Sequence, residues 1–106
     1  MKTIDIMPYK IIYVDKAKQD VRESKAWYKQ QRNGLQKQFA SAIIKAISLL
    51  QKNPYAYAIR YKNIRIIHPK TFPFGIHFYI DETAKQIIIT AIIHDYRDVK
   101  IIEERE

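Results

Sequence analysis

The chain has 106 residues, 47% of them hydrophobic, which is enough for one domain (1–106) with a single modest core. It has no cysteine, so disulfides, iron–sulfur clusters and thiolate zinc sites are excluded. The net charge of +8 is uneven: residues 1–80 carry 15 basic and four acidic side chains, whereas 81–106 carry four basic and seven acidic ones. A basic body of this kind raises encounter rates with polyanions and with acidic protein segments alike. Lysines such as Lys16, Lys25, Lys37 and Lys45 also serve simply to solvate a helix face. No apolar run approaches the roughly 18 residues of a membrane span, and MKTIDIMPYK has no apolar signal-peptide core. A soluble, cytoplasmic protein without a membrane partner is the expectation.

In chain order, 9–14 (YKIIYV) is rich in β-branched and aromatic residues and follows Pro8, which predicts a first strand. Asp15 suits an N-cap, and Ala17, Val21, Ser24 and Tyr28, with Trp27 beside them, give one apolar-leaning helix face to about Gln31. Asn33-Gly34 stops that helix, because glycine tolerates the left-handed conformation needed just past a helix end. Leu35, Phe39, Ile43, Ala46, Ile47 and Leu50 then recur at three- and four-residue spacing until Asn53-Pro54. The pair makes a helical hairpin over 15–52 whose apolar stripes can cover one face of a sheet.

Three further strands complete the pattern. Residues 62–68 alternate poorly; from 72 to 80, Phe72, Phe74, Ile76, Phe78 and Ile80 mark a core face and leave Gly75, His77 and Tyr79 on a possible working face. DETAKQ is a polar hairpin loop, and 86–93 is apolar throughout, as a central strand covered on both faces would be. The fold class is therefore α+β: a small, mainly antiparallel sheet with an N-terminal helical hairpin on one face, in the order β-α-α-β-β-β. His68, His77 and His94 lack the close spacing typical of a metal site, so neither a metal nor another cofactor is expected.

This order, and the segments YKIIYV, WYKQQRNGLQKQF, RYKNIR, KTFPFGIHFYI and ITAIIHDYR, resemble the RelE/ParE superfamily of toxins from type II bacterial toxin–antitoxin systems over nearly the whole chain. The resemblance implies a cognate antitoxin that wraps the toxin in a hetero-oligomer, and one of two activities. RelE-like members cleave mRNA in the ribosome without a metal, by helping the 2′-hydroxyl attack the neighbouring phosphate. That chemistry needs a base, cations for the phosphorane and an acid for the leaving oxygen. ParE-like members bind DNA gyrase and trap it.

The resemblance carries Arg97 over as the arginine at the end of the last strand, and Arg65 as one of the basic residues on an earlier strand. The place where RelE-like enzymes hold a catalytic arginine falls on Gly75, and VKIIEERE has no tyrosine where several of them do. His77, His94 and Tyr96 are the remaining candidates for an acid or base. With the long hairpin and the FPF strand start, these departures place the expectation on the ParE side: a toxin acting on gyrase. A ribosome-dependent endoribonuclease, and a degenerate member that only binds antitoxin, are the alternatives. Toxicity is expected to depend on one surface holding Arg65, His77, His94 and Arg97. Each also has a plainer reading. Arg65 could pair with Glu82, the histidines could be hydrogen-bonded structural residues, and Trp27, Tyr28, Phe39 and the strand phenylalanines could all be core.

Overall fold

The computed structural model describes residues 9–97, except for the side chain of Arg97. Pro8 and the acidic tail that figure in the sequence reading lie outside the described residues.

Strand β1 (Lys10–Tyr13) leads into helix α1 (Asp15–Gln31), helix α2 (Leu35–Lys52) and a 3-10 turn at Pro54–Ala56. Strands β2 (Ile59–Tyr61), β3 (Ile64–Ile67), β4 (Phe74–Asp81) and β5 (Gln86–His94) follow, and a 3-10 turn, Asp95–Arg97, ends the described chain. The sheet order is β1-β5-β4-β3-β2; β1 runs parallel to β5 and every other pair is antiparallel. The α+β expectation holds. One element was not legible: three-residue β2 pairs with β3 only through Ile59–Arg65 and Tyr61–Ile64, and a run this short leaves no periodic signal.

The helix boundaries have local causes with one correction. Asp15 lies within the first turn of α1 and Val14 occupies the N-cap without a side-chain bond, so the acid acts on the helix dipole rather than as a cap. Gly34 adopts φ +100 and ψ −23, which a side chain would strain, and it both breaks the chain after α1 and opens α2.

The core lies between the hairpin and one sheet face. Phe39, Ile43, Ala46, Ile47 and Leu50 of α2 meet Ile67, Phe74, Ile76, Phe78, Ile87, Ile89 and Ile92. Tyr28 and Ala17 bring α1 into the same cluster, whereas Trp27, expected in the core, is exposed. Beyond the end of β1, the edge of β5 is held by α1: the buried Asp20 carboxylate accepts the Ile92 backbone N–H at 3.0 Å. Opposite His77 and Phe78, β5 carries a bulge, because His77 faces Ala91 while Phe78 faces Ile89, leaving Thr90 as the extra residue. Ile87 and Ile89 point at the helices before the bulge and Ile92 after it, so the alternation is reset by one residue.

Candidate functional site

The sequence candidates fall in three separate places. Arg65 sits opposite Phe78, on the helix-facing side of the sheet, near the 3-10 turn Pro54–Ala56. Its Nη1 donates to the Tyr57 carbonyl at 2.6 Å, and its guanidinium lies 5.1 Å from the Tyr55 ring centre. Glu82 does not pair with it directly among the contacts described; it joins through Tyr55. The Glu82 carboxylate accepts hydrogen bonds from Tyr9 Oη at 2.8 Å and Tyr55 Oη at 2.7 Å and is paired with Lys85. The bonds from Lys85, Tyr55 and Tyr9 hold its pKa down at about 2. Tyr9 and Tyr55 are raised in turn, first because their hydroxyls donate to that carboxylate. Arg65 thus belongs to a network tying β3 to the turn before β2 and, through Tyr55, to the β4–β5 hairpin.

His77 lies on the opposite face of the sheet and is 0% exposed. Its Nδ1 is 2.8 Å from Tyr61 Oη. Of the three residues expected on a possible working face, Gly75 and His77 are buried and Tyr79 is half-buried. A Cβ built on Gly75 would lie 3.0 Å from Ile66 Cγ2, 3.4 Å from His77 Nε2 and 3.5 Å from His68 Cε1. The room for a side chain at this position is filled by one isoleucine methyl and two imidazoles. His68 is fixed by its Nδ1, 3.0 Å from the Phe74 carbonyl and 3.4 Å from Asp95 Oδ1.

His94 and Tyr96 occupy the third place, at the far end of β5. The bulge turns His94 to the helix side, opposite Phe74, with the two rings 5.4 Å apart. Tyr96, 95% exposed, stacks on His94 at 5.0 Å with the rings inclined by 22°, and its backbone N–H donates to His94 Nδ1 at 3.2 Å. With Glu23, Ser24, Trp27, Tyr28 and Phe74 they line a cavity of about 490 Å³. Arg97 closes the 3-10 turn next to it in the chain. Arg65, His77 and His94 therefore do not form one cluster: Arg65 and His94 share the helix-facing side but lie on the two strands flanking β4, opposite Phe78 and Phe74, and His77 is on the other face. Sequence reasoning placed Trp27 in the core and passed over Glu23; the unpaired spacing of Trp27 from the Ala17–Tyr28 stripe was the one signal that could have moved it outward.

A larger groove, about 980 Å³, runs between α2 and the β3–β4 segment. Lys37, Ser41, Lys45 and Leu49, at four-residue spacing, form its helical wall, and Ile66, Ile67, Pro69 and Phe72 its other wall, with Lys70 beside them. Because β2 pairs only with Ile64 and Arg65 of β3, Ile66 and Ile67 have a strand partner only on the β4 side among the described residues.

Residues 11–99 match a family model described as the ParE toxin of the type II toxin–antitoxin system parDE. Among solved structures, the chain is similar to the chromosomal ParDE system from P. aeruginosa, with 19% identity over 81% of this chain and 95% of that one and a TM-score of 0.70. It is also similar to the E. coli RelBE toxin–antitoxin complex (10% identity, 81% and 95% covered, TM-score 0.59). The RelBE2 complex from Mycobacterium tuberculosis gives 15% identity, 83% and 99% covered and a TM-score of 0.59. Curated protein sequences give no match.

Proposed function

Since the chain belongs to the ParE toxin family of type II toxin–antitoxin systems, we propose that it arrests growth by binding DNA gyrase and is held inactive by a cognate antitoxin. The observation that carries the reading is at Gly75. RNA cleavage by 2′-hydroxyl attack requires cations and an acid–base pair converging on one phosphate. Here Arg65 and His94 stand on strands either side of β4, His77 is buried on the opposite face, and Ile66 packs closely where a cationic side chain at position 75 would have to begin. That arrangement suits a protein that works through a surface rather than through a catalytic set.

The α2–β3 groove is the place for the antitoxin. Its apolar floor suits the apolar side of a segment that folds on binding, Lys37, Lys45 and Lys70 suit an acidic one, and the outer edge of β3 at Ile66 and Ile67 can accept a strand. The test uses the purified chain with and without the product of the neighbouring reading frame. Inhibition of gyrase supercoiling that the antitoxin relieves is the expected result. Cuts in translated mRNA at the ribosomal A site, with supercoiling untouched, would replace gyrase by the ribosome as target. Failure of both assays would leave a protein that binds antitoxin alone.

A further inference from the structure

Five aromatic rings line the cavity between α1 and the end of β5, and each touches the next. Trp27 meets Tyr28 at 5.1 Å, Tyr28 meets Phe74 at 6.0 Å, Phe74 meets His94 at 5.4 Å and His94 meets Tyr96 at 5.0 Å. The rings at the two ends are the most open, Trp27 at 55% and Tyr96 at 95% exposure. Large aromatic surfaces left in water at the mouth of a cavity are what a binding site presents before its ligand arrives. Among the described residues the lining also contains the Ser24 hydroxyl and one charged side chain, Glu23. In a protein of net charge +8, the charge that the described lining presents is negative.

We propose that this cavity is a receptor for a guanidinium group, the arginine side chain of a protein partner. Aromatic faces attract a cation through their quadrupoles, and a planar guanidinium also stacks on them, which an ammonium cannot do. Glu23 supplies the directed part. Its carboxylate is oriented by Gln19 Nε2, one helical turn earlier, at 2.8 Å, and a carboxylate accepts several hydrogen bonds at once, so it takes guanidinium N–H groups as well. Ser24 Oγ offers a further acceptor on the same wall. A nucleotide would stack equally well on the rings, but its anionic phosphate gains nothing from the Glu23 carboxylate, whereas a cation does. The site gives His94 and Tyr96 a role in binding and does not depend on which cellular target the toxin has.

The only tryptophan of the chain, Trp27, stands at the cavity and reports on it directly. The full chain is titrated with N-acetyl-arginine amide while Trp27 fluorescence is followed, with N-acetyl-glutamine amide and adenosine monophosphate as parallel probes. Arginine amide is expected to give a saturable change that the glutamine analogue does not. Glu23→Gln should weaken it about tenfold through the lost charge-assisted bonds, and Tyr96→Ala about threefold through the lost ring. Both residues are on the surface, and an unchanged circular dichroism spectrum establishes that the variants are folded. A saturable response to the nucleotide in place of arginine, no response to arginine, or a Glu23→Gln protein that binds arginine as the wild type does would each overturn the proposal.

Discussion

At the scale of single residues, Phe39 and Gly75 show how tightly both sides of the sheet are specified. Phe39 is fully buried and contacts the rings of Tyr28, Phe72 and Phe74 at 5.1, 5.4 and 4.8 Å, so it joins both helices to the start of β4. Phe39→Ala is expected to cost about 3–5 kcal/mol, read as a fall in the urea midpoint with the slope unchanged; an unshifted midpoint would remove the ring from the core. Gly75 is governed by the opposite error. With Ile66 Cγ2 3.0 Å from the position of a Cβ, a side chain there requires that methyl to give by a few tenths of an ångström in a packed face. Gly75→Arg should therefore destabilise by about 1–3 kcal/mol without creating mRNA cleavage. Primer extension on translated message, run beside a denaturation curve, checks both halves, and cleavage by a stable Gly75→Arg protein would show that only the missing cation held the activity back.

At the scale of elements, two polar contacts fix how the pieces dock. Asp20 on α1 accepts from Ile92 N where β5 has outrun its partner β1. Asp20→Ala leaves that buried amide without this acceptor and should cost about 1–3 kcal/mol, while Asp20→Asn keeps an oxygen there and should cost less. Amide exchange at Ile92, faster in the alanine variant than in the asparagine one, would distinguish the contact from a general loss of stability. The second contact is Glu82, which joins the start of the described chain and the turn after α2 to the β4–β5 hairpin through Tyr9, Tyr55 and Lys85. Its folded pKa of about 2 lies below the ordinary 4.5. A lowered carboxylate stabilises the fold above its unfolded pKa and loses that contribution as pH falls through the folded one. The melting temperature should thus fall between pH 4.5 and about 2, and Glu82→Gln should flatten the part of that fall that belongs to this group. Equal slopes for the two proteins would assign the acid transition to other carboxylates.

At the scale of the whole molecule, charge and shape decide how a partner arrives. The 15 basic side chains against four acidic ones over residues 1–80 include Lys37, Lys45 and Lys70 around the α2–β3 groove. Electrostatic attraction of this kind acts mainly on the association rate and is screened over about 10 Å at 0.1 M salt. Antitoxin association should slow as salt is raised, and the double substitution Lys37→Gln, Lys45→Gln should reduce both the rate and its salt dependence while leaving the melting temperature nearly unchanged. Stopped-flow binding at several ionic strengths reads this; a salt-independent rate would mean that the groove captures its partner by apolar contact alone. The arginine receptor is at a different place, between α1 and the end of β5, so the two surfaces can be altered one at a time.

Helical spacing from Leu35 to Leu50, the Gly34 break and the alternation from Phe74 to Phe78 were enough to establish the helical hairpin, the sheet and the core between them, because one buried face imposes a period on its element. The segments that carry the resemblance likewise sufficed for the toxin family. The location of the candidate site residues was not legible in the same way. Strict alternation from Ile87 and Ile89 would turn His94 to the face that holds His77; the bulge at Thr90 turns it to the helices instead, where it completes the aromatic cavity. In the run IIITAII the one polar residue, Thr90, is the extra one, but a single threonine does not fix a register, since a strand covered on both faces is apolar at nearly every position either way. Which side chains meet across the sheet is set by pairing with β4 and by the latch of Asp20 on Ile92, contacts between residues far apart in the chain, and only the folded structure brings those together.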